Sequence, residues 1–404
     1  MYGVVLAAGQ GTRMRPLTDD RPKPLLPAAG RPLLEHVFDA CLDVVDELVV
    51  VIGYRGEDVI ERLGDEYRGT PISYVDQDDP AGTAHAIAQT QEVVDEQFVV
   101  LNGDVLVDAE LPAALADADG AAIATTRVSD PRSYGVVSVD SGGSLSAIVE
   151  KPSDPPTDLA NVGCYAFEPE VFEYIARTER STRGEYEITD TLELLLASGR
   201  DVSVVKYDGR WLDVGRPWEL LRANELLLDE IDRDLEGAIA TGANVDGAVV
   251  IEEGATVRDG VTINGPVVVK SGAEIGPNAY VRGATVVGSD VHVGHGVEVK
   301  NSILMDGAAV PHLSYVGDSI LGRDVNLGAG TQVANLRHDE ASVTMTVKGD
   351  RVDTGRRKLG VVLGDGVKTG INVSLNAGVK VESGAGIDPG TVVLRDVGDE
   401  SDLT

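Results

Sequence analysis

The sequence predicts an α/β half with a mainly parallel sheet, followed by a parallel β-helix of hexapeptide repeats. Three observations carry that expectation. Over residues 1 to about 230, short apolar runs alternate with amphipathic stretches, the pattern of buried strands covered by helices. Beyond about residue 240, aliphatic residues recur at every sixth position, a period that neither a helix nor a simple strand produces. Gly supplies 47 of 404 residues while aromatics are only 4%, which suits tight turns better than an aromatic core.

In the first half, Val4-Val5-Leu6, Leu48 to Ile52, Phe98 to Leu101, Ala121 to Thr125 and Val202 to Val205 read as buried strands. Leu33 to Val44 and Gly56 to Leu63 read as helices, and a further helix from about Pro217 to Asp232 has Pro in its first turn. This gives a first domain over 1–232, with a linker helix at about 217–232, and a second over 240–404. In the second, Ile251, Val257, Ile263, Val269, Ile275, Val281, Val287, Val293, Val299 and Met305 are spaced by six. After a slip the period resumes at Leu321, Leu327 and Val333, and again at Leu363, Leu375, Val381, Ile387 and Val393, with Thr369 in one slot. Three hexads make one triangular coil with the aliphatic residue inward. The period fails from about 337 to 358, a polar stretch expected to leave the coil as a loop.

Charge narrows the function. Lys and Arg total 34 against 67 Asp and Glu, a formal −33. That argues against nucleic acid, which wants a basic face, and against an anionic membrane. The cations are 9 Lys and 25 Arg; few lysines among many carboxylates suggest a surface built for high salt. Two cysteines, Cys41 and Cys164, make no disulfide framework and no zinc cluster. The start MYGVVLAAGQ lacks a basic n-region, so no signal peptide is expected, and no run of about 18 apolar residues spans a membrane. A reducing, cytoplasmic setting is the expectation.

The turn Leu6-Ala7-Ala8-Gly9-Gln10-Gly11-Thr12-Arg13-Met14 follows the first strand, and Arg21-Pro22-Lys23-Pro24 comes shortly after. Small residues let backbone N–H groups approach a phosphate, and two fixed cations beside them suit polyphosphate chemistry. The segment LAAGQGTRMRPLTDDRPKPLLPAAGRPLLEH resembles the signature of the sugar-1-phosphate nucleotidylyltransferases. With the hexad half added, the whole chain resembles the bifunctional enzymes that make UDP-N-acetylglucosamine. The resemblance implies a Rossmann-like nucleotidyltransferase domain and a left-handed β-helix acetyltransferase domain.

It also implies roles. Leu6, Ala8, Gly9, Gly82 and Thr83 fall at nucleotide positions, and Arg13 and Lys23 would grip the triphosphate. Gln77 falls where the family reads the base; an amide there pairs with the N3–H and a carbonyl of uracil or thymine, and cytosine lacks that N3–H. Asp104, closing an apolar strand, and Asp213 match magnesium ligands. Gly135, Glu150, Lys151 and Asn161 fall where relatives hold the sugar and its phosphate. The reaction such a set supports is attack by a sugar phosphate oxygen on the nucleotide α-phosphorus, driven by positioning and charge neutralisation without a general base. The longer Arg13–Lys23 spacing, Glu150-Lys151-Pro152 and Trp211-Leu212-Asp213 look more like glucose-1-phosphate thymidylyltransferases, so UTP and dTTP, glucose and N-acetylglucosamine all stay open.

In the repeat half, Pro311-His312-Leu313-Ser314-Tyr315-Val316-Gly317-Asp318 resembles the acetyltransferase motif in which the His is the general base, and His312 follows a Pro where a hexad aliphatic was due. Arg282, Lys300, Tyr315 and Asn326 match contacts to the amino-sugar phosphate, and Ala329 and Asn335 match acetyl-CoA contacts. Stacked coils bring residues about 18 apart together, so Arg282 and Lys300 should form one cationic column. After Asn335 the chain departs from bacterial relatives, and Arg356, Arg357 and Lys358 offer either phosphate contacts or solvated charge. The alternative is a single-activity thymidylyl- or uridylyltransferase whose β-helix only assembles subunits. A three-sided coil implies a homotrimer or a multiple of three.

Overall fold

Three parallel sheets and one mixed sheet organise the chain in a computed structural model that describes residues 1–398. The last six residues of the expected 240–404 span, 399–404, lie outside the described residues. Contacts divide the chain into two compact units. The first holds residues 1–10, 22–25 and 33–213; the second holds 11–21, 26–32 and the chain from 214 onward.

In the first unit, Tyr2–Leu6 lies between Phe98–Asn102 and Glu47–Ile52, all parallel, and Glu47–Ile52 pairs in parallel with Thr70–Asp76. These strands are the apolar runs, and Val4, Val5, Val49, Val50, Val99 and Val100 are fully buried because both faces are covered. Beyond Phe98–Asn102 the sheet turns antiparallel through Leu159–Phe167, Gly135–Val139 and Leu145–Glu150. Ala121–Arg127 pairs with Leu159–Phe167 and, in parallel, with Val202–Lys206. The helices run over Leu33–Cys41 and Gly56–Leu63. The first stops short of Val44, where the chain closes in a tighter turn with Val44 N–H donating to Cys41 O at 3.0 Å. Strand C-terminal ends after Leu6, Ile52, Asp76 and Asn102 share one edge, the usual place for a ligand in a parallel sheet. Cys41 and Cys164 are free and buried, and burial pushes the Cys41 thiol up to about 12.

The second unit is a three-faced coil. Parallel strands stack in three series, running from Asp234–Leu235 to Lys380–Val381, from Ala238–Ile239 to Ala309–His312, and from Asn244–Asp246 to Val392–Val393. The hexad aliphatics form its core; Ile251, Ile263, Val269, Ile275, Val281, Val287, Val293 and Val299 are all 0% exposed. Most rungs repeat at 18 residues, as in Val281↔Val299 and Val362↔Lys380.

Two slots differ from the expected period. Val287 pairs with Leu304, and Leu304 with Leu321, so these coils have 17 residues and Leu304, not Met305, fills the inward slot. Met305 is nonetheless 3% exposed, and Arg21, itself 9% exposed, donates to its sulfur at 3.1 Å. Likewise Val310 pairs with Val293 and takes the slot expected near His312, while His312 pairs with His295 on the exposed side of the strand. The polar break carries Leu321 to Leu363, a step of 42 residues where neighbouring coils need 17 or 18. It contains an antiparallel hairpin, Thr344–Val347 with Asp350–Asp353.

The helix Pro217–Leu228 belongs to this unit and ends before the expected Asp232. Its Glu225 accepts from Asn301 at 2.9 Å and from the Arg356 guanidinium. Among the described residues no helix is long and apolar enough to cross a membrane.

Leu304→Ala is expected to cost about 2–5 kcal/mol in denaturant unfolding, the usual loss for a buried leucine; a loss under about 0.5 kcal/mol would place Leu304 outside the core. Burial alone would raise the Glu225 carboxyl, but hydrogen bonds from Arg356 and Asn301 hold it below its ordinary value. Its stabilisation is therefore present above about pH 4.3 and lost as pH falls through the lower folded value. Glu225→Gln should reduce the drop in melting temperature over that acid window, and an unchanged acid profile would contradict this.

Candidate functional site

Two clusters of the expected residues form, one in each unit. In the first unit, Leu6 ends its strand beside Asn102, and Gly103 N–H donates to Leu6 O at 2.9 Å. This carries Asp104 past the sheet edge. The short strand Trp211–Asp213 pairs with Val105–Val107, setting Asp213 opposite Val105, next to Asp104. The Lys23 ammonium, 7% exposed, is bonded to the Asp104 carboxylate. Two carboxylates and a lysine thus converge from three separate segments.

Ala8 and Gln77 line one cavity of about 220 Å³ with Gln10, Gly53, Tyr54 and Asp78. Gln77 is 4% exposed. Its amide nitrogen donates to Gly82 O at 3.3 Å and lies 2.9 Å from His85 Nδ1. The carbonyl oxygen is therefore the part of Gln77 left to meet a base N3–H, so a carbonyl of the base needs another donor. Gly82 has φ +117°, and a Cβ there would stand 2.4 Å from Tyr186 O. No side chain fits, and the helix Thr83–Ala88 starts from it. Thr83 Oγ1 accepts from Ile188 N–H at 3.1 Å, holding the next helix in place.

Gly135, Glu150, Lys151 and Asn161 also gather. Gly135 pairs with Glu150, and a Cβ on Gly135 would lie 3.0 Å from Glu150 Oε2 and 3.4 Å from Asn161 Cβ. Asn161 donates to Tyr165 OH at 2.7 Å. Glu150 meets Lys151 at 3.0 Å and Arg183 at 3.1 Å. Arg183 also pairs with Glu187, whose carboxyl burial raises above its ordinary value. Arg13 falls in the second unit, where its guanidinium lies beside Gly215.

In the second unit the expected cationic column forms. Arg282 and Lys300 are register partners on the third face. Each carries a carboxylate: Glu298 lies 2.9 Å from Arg282, and Asp318 lies 2.8 Å from Lys300. Asp318 is 2% exposed and also accepts from Asn301 at 2.8 Å and Asn335 at 2.6 Å. Asn335 donates to Tyr315 OH at 3.0 Å, and burial raises that phenol above its ordinary value. An ammonium has three donors, so a phosphate can add to Lys300 without displacing Asp318.

His312 ends a strand of the second face, and Tyr315 opens the third. Gly330 N–H donates to His312 O at 3.0 Å, which stacks Ala329 in the coil above His312. Asn326 bridges Ala309 in that same ladder. His312 opens on a cavity of about 730 Å³ with His292, His295, Arg258 and Glu274. Lys300 and Arg282 stand at the far end of the third face, opposite Gly317, five residues along the chain from His312.

Several contributors were not expected from the sequence: His85, Arg183, Glu298, Asn301 and Asp318. The signal for Asp318 was present, since it lies one coil of 18 residues beyond Lys300. Asp318→Ala should cost about 3–5 kcal/mol because Lys300 and two amides lose a buried acceptor. Asp318→Asn should cost less. Equal unfolding midpoints for Asp318→Ala and wild type would contradict the network.

Residues 2–230 match the family model described as nucleotidyl transferase, and residues 263–368 match the one described as GMPPB C-terminal domain. "Bifunctional protein GlmU" of Methanocaldococcus jannaschii is 41% identical over 398 residues, covering 98% of this chain and 96% of that protein. "Bifunctional sugar-1-phosphate nucleotidylyltransferase/acetyltransferase" of Sulfurisphaera tokodaii is 40% identical, covering 98% of each. The crystal structure of UDP-glucose pyrophosphorylase complexed with UDP-glucose aligns with a TM-score of 0.52 at 23% identity, over 57% of this chain and 98% of that one. That last likeness bears on the fold.

Proposed function

We propose two linked activities for this chain, which belongs to the nucleotidyl transferase family and is related along nearly its whole length to bifunctional sugar-1-phosphate nucleotidylyltransferase/acetyltransferases. It acetylates glucosamine 1-phosphate with acetyl-CoA. It then transfers a uridylyl or thymidylyl group from UTP or dTTP to a sugar 1-phosphate, N-acetylglucosamine 1-phosphate or glucose 1-phosphate. The observation that supports this most is the gathering of two separate residue sets, Lys23 with Asp104 and Asp213, and Lys300 with Asp318, Asn335 and Tyr315.

In nucleotidyl transfer, a phosphate oxygen of the sugar phosphate forms a bond to the α-phosphorus as the bond to pyrophosphate breaks. The nucleophile is already an anion, so positioning and charge neutralisation carry the step. Asp104 and Asp213 fit a magnesium ion, two hard oxygen donors on adjacent segments. Bound there, the ion would offset negative charge on the phosphates. Lys23 and Arg13 hold the triphosphate. Ala8, Gly9 and Gln77 hold the nucleoside, and Gly135, Glu150, Lys151 and Asn161 the sugar phosphate.

In acetyl transfer, His312 takes a proton from the sugar ammonium, and the freed amine attacks the thioester carbonyl. The C–S bond breaks and coenzyme A leaves as the thiol. Arg282 and Lys300 hold the phosphate, Tyr315 and Asn326 the sugar, and Ala329 and Asn335 the acyl donor. A homotrimer, or a multiple of three, fits apolar residues left exposed at this coil edge, with Leu313 at 61% and Ile371 at 55%. The acidic surface fits work in high salt, and nucleoside triphosphates and acetyl-CoA fit a cytoplasmic enzyme.

The test separates the activities. His312→Ala should cut thiol release from acetyl-CoA by about 10²–10⁴-fold, the worth of a general base, while pyrophosphate release stays near wild type. Asp104→Ala and Arg13→Ala should do the reverse. Normal pyrophosphate release in Asp104→Ala would remove the first assignment. Absence of acetyl transfer in wild type would leave a single-activity enzyme with a scaffold coil.

A further inference from the structure

The polar break at 337–358 builds one wall of a second large cavity in the repeat unit, of about 820 Å³. An isolated bridge between Leu336 and Lys358 closes the neck of the break, and the hairpin stands beyond it. The opposite wall is the final coils, through Asn376, Val379 and Leu394. Ala334 and Leu336 line the cavity and flank Asn335, which bonds Tyr315 OH. The cavity therefore begins beside the residues assigned to acyl transfer.

Its lining is divided. Ala334, Leu336, Val379 and Leu394 are apolar, and Leu336 and Leu394 keep 38% and 66% of their surface exposed. Three guanidiniums reach it from three segments: Arg337 on the neck, Arg351 on the hairpin and Arg395 past the last coil. Arg337 is neutralised by Asp339, at 2.9 Å from Nε. Arg351 is steadied by neutral oxygens, Thr344 O at 2.6 Å and Thr344 Oγ1 at 2.7 Å. The second lining carboxylate, Asp396, accepts from Lys380 N–H at 2.9 Å. Three arginines against two aspartates leave a cationic excess in a chain of net −33. The arginines expected at this end from sequence are engaged elsewhere: Arg356 binds Glu225, and Arg357 lies 3.5 Å from Glu340.

We infer that this cavity holds the nucleotide end of the acyl donor, a 3′-phosphorylated adenosine diphosphate. The base lies on Leu336 and Leu394, and the phosphates meet Arg351 and Arg395. An apolar floor with guanidiniums at its rim matches a flat base joined to several phosphates. The assignment rests on the acyl-transfer reading, since the pantetheine arm would run from Asn335 toward His312.

The experiment measures acetyl transfer with acetyl-CoA and with 3′-dephospho-acetyl-CoA, for wild type, Arg351→Ala, Arg395→Ala and Arg351→Lys. Wild type should favour the phosphorylated donor. Each Ala variant should raise the acetyl-CoA KM about tenfold or more, the worth of one charge-assisted bond, with kcat and nucleotidyl transfer unchanged. At least one should also lose the preference for the 3′-phosphate, and Arg351→Lys should recover part of it. Arg395→Ala tests the site without touching the hairpin, should Arg351→Ala disturb it. Unchanged KM in both Ala variants, with acetyl transfer intact, would overturn this inference alone. Wild type that turns over neither donor would overturn the acyl reading and this inference with it.

Discussion

The parallel ladder of the repeat unit sets each residue beside the one 17 or 18 positions further on, and the chemistry of that unit follows from this register. Because every rung must bury one aliphatic per face, the alternate positions are fixed outward in columns. Arg282, Lys300 and Gly317 occupy one column, and His295 and His312 another. A one-residue slip would move every outward group inward. The structure absorbs its shortened coils at Val287 to Leu304 without such a slip, because Met305 next in line is also apolar and is covered by Arg21. The columns on either side keep their alignment.

In a chain this acidic, the cations at both clusters are held by carboxylates before any substrate arrives. Lys23 rests on Asp104, Lys151 on Glu150, Arg282 on Glu298 and Lys300 on Asp318. The pairs differ in kind. Asp318 is buried and fully engaged, so it fixes Lys300 in place. Asp104 keeps an ordinary ligand's freedom, because exchanging an ammonium for a harder cation costs it little. The first pair is architecture and the second is a place for exchange.

Much of this was legible in the sequence. The six-residue period exposed the coil because burial demands one aliphatic per face, and the ladder of Arg282 with Lys300 followed from counting. The parallel strands were legible as continuous apolar runs buried on both faces. What escaped has physical reasons. Leu304 and Met305 are both apolar, so the period alone could not choose between them. The hairpin at 344–353 was hidden by its polarity, although Lys348-Gly349 sits at its turn with φ of 50° and 88°. His85 beside Gln77 depends on how the helix after Gly82 is aimed, which no spacing rule supplies. The antiparallel edge of the first sheet likewise depends on pairing across long separations, as in Cys164↔Leu101.

The central claim is that one chain both acetylates an amino-sugar phosphate and couples the product to a nucleotide. The most direct measurement gives wild-type protein glucosamine 1-phosphate, UTP, magnesium and acetyl-CoA carrying an isotopically heavy acetyl group, and weighs the nucleotide sugar formed. The account predicts UDP-N-acetylglucosamine carrying the heavy acetyl. A nucleotide sugar that forms only when pre-acetylated sugar phosphate is supplied, with no heavy label entering it, would contradict the account.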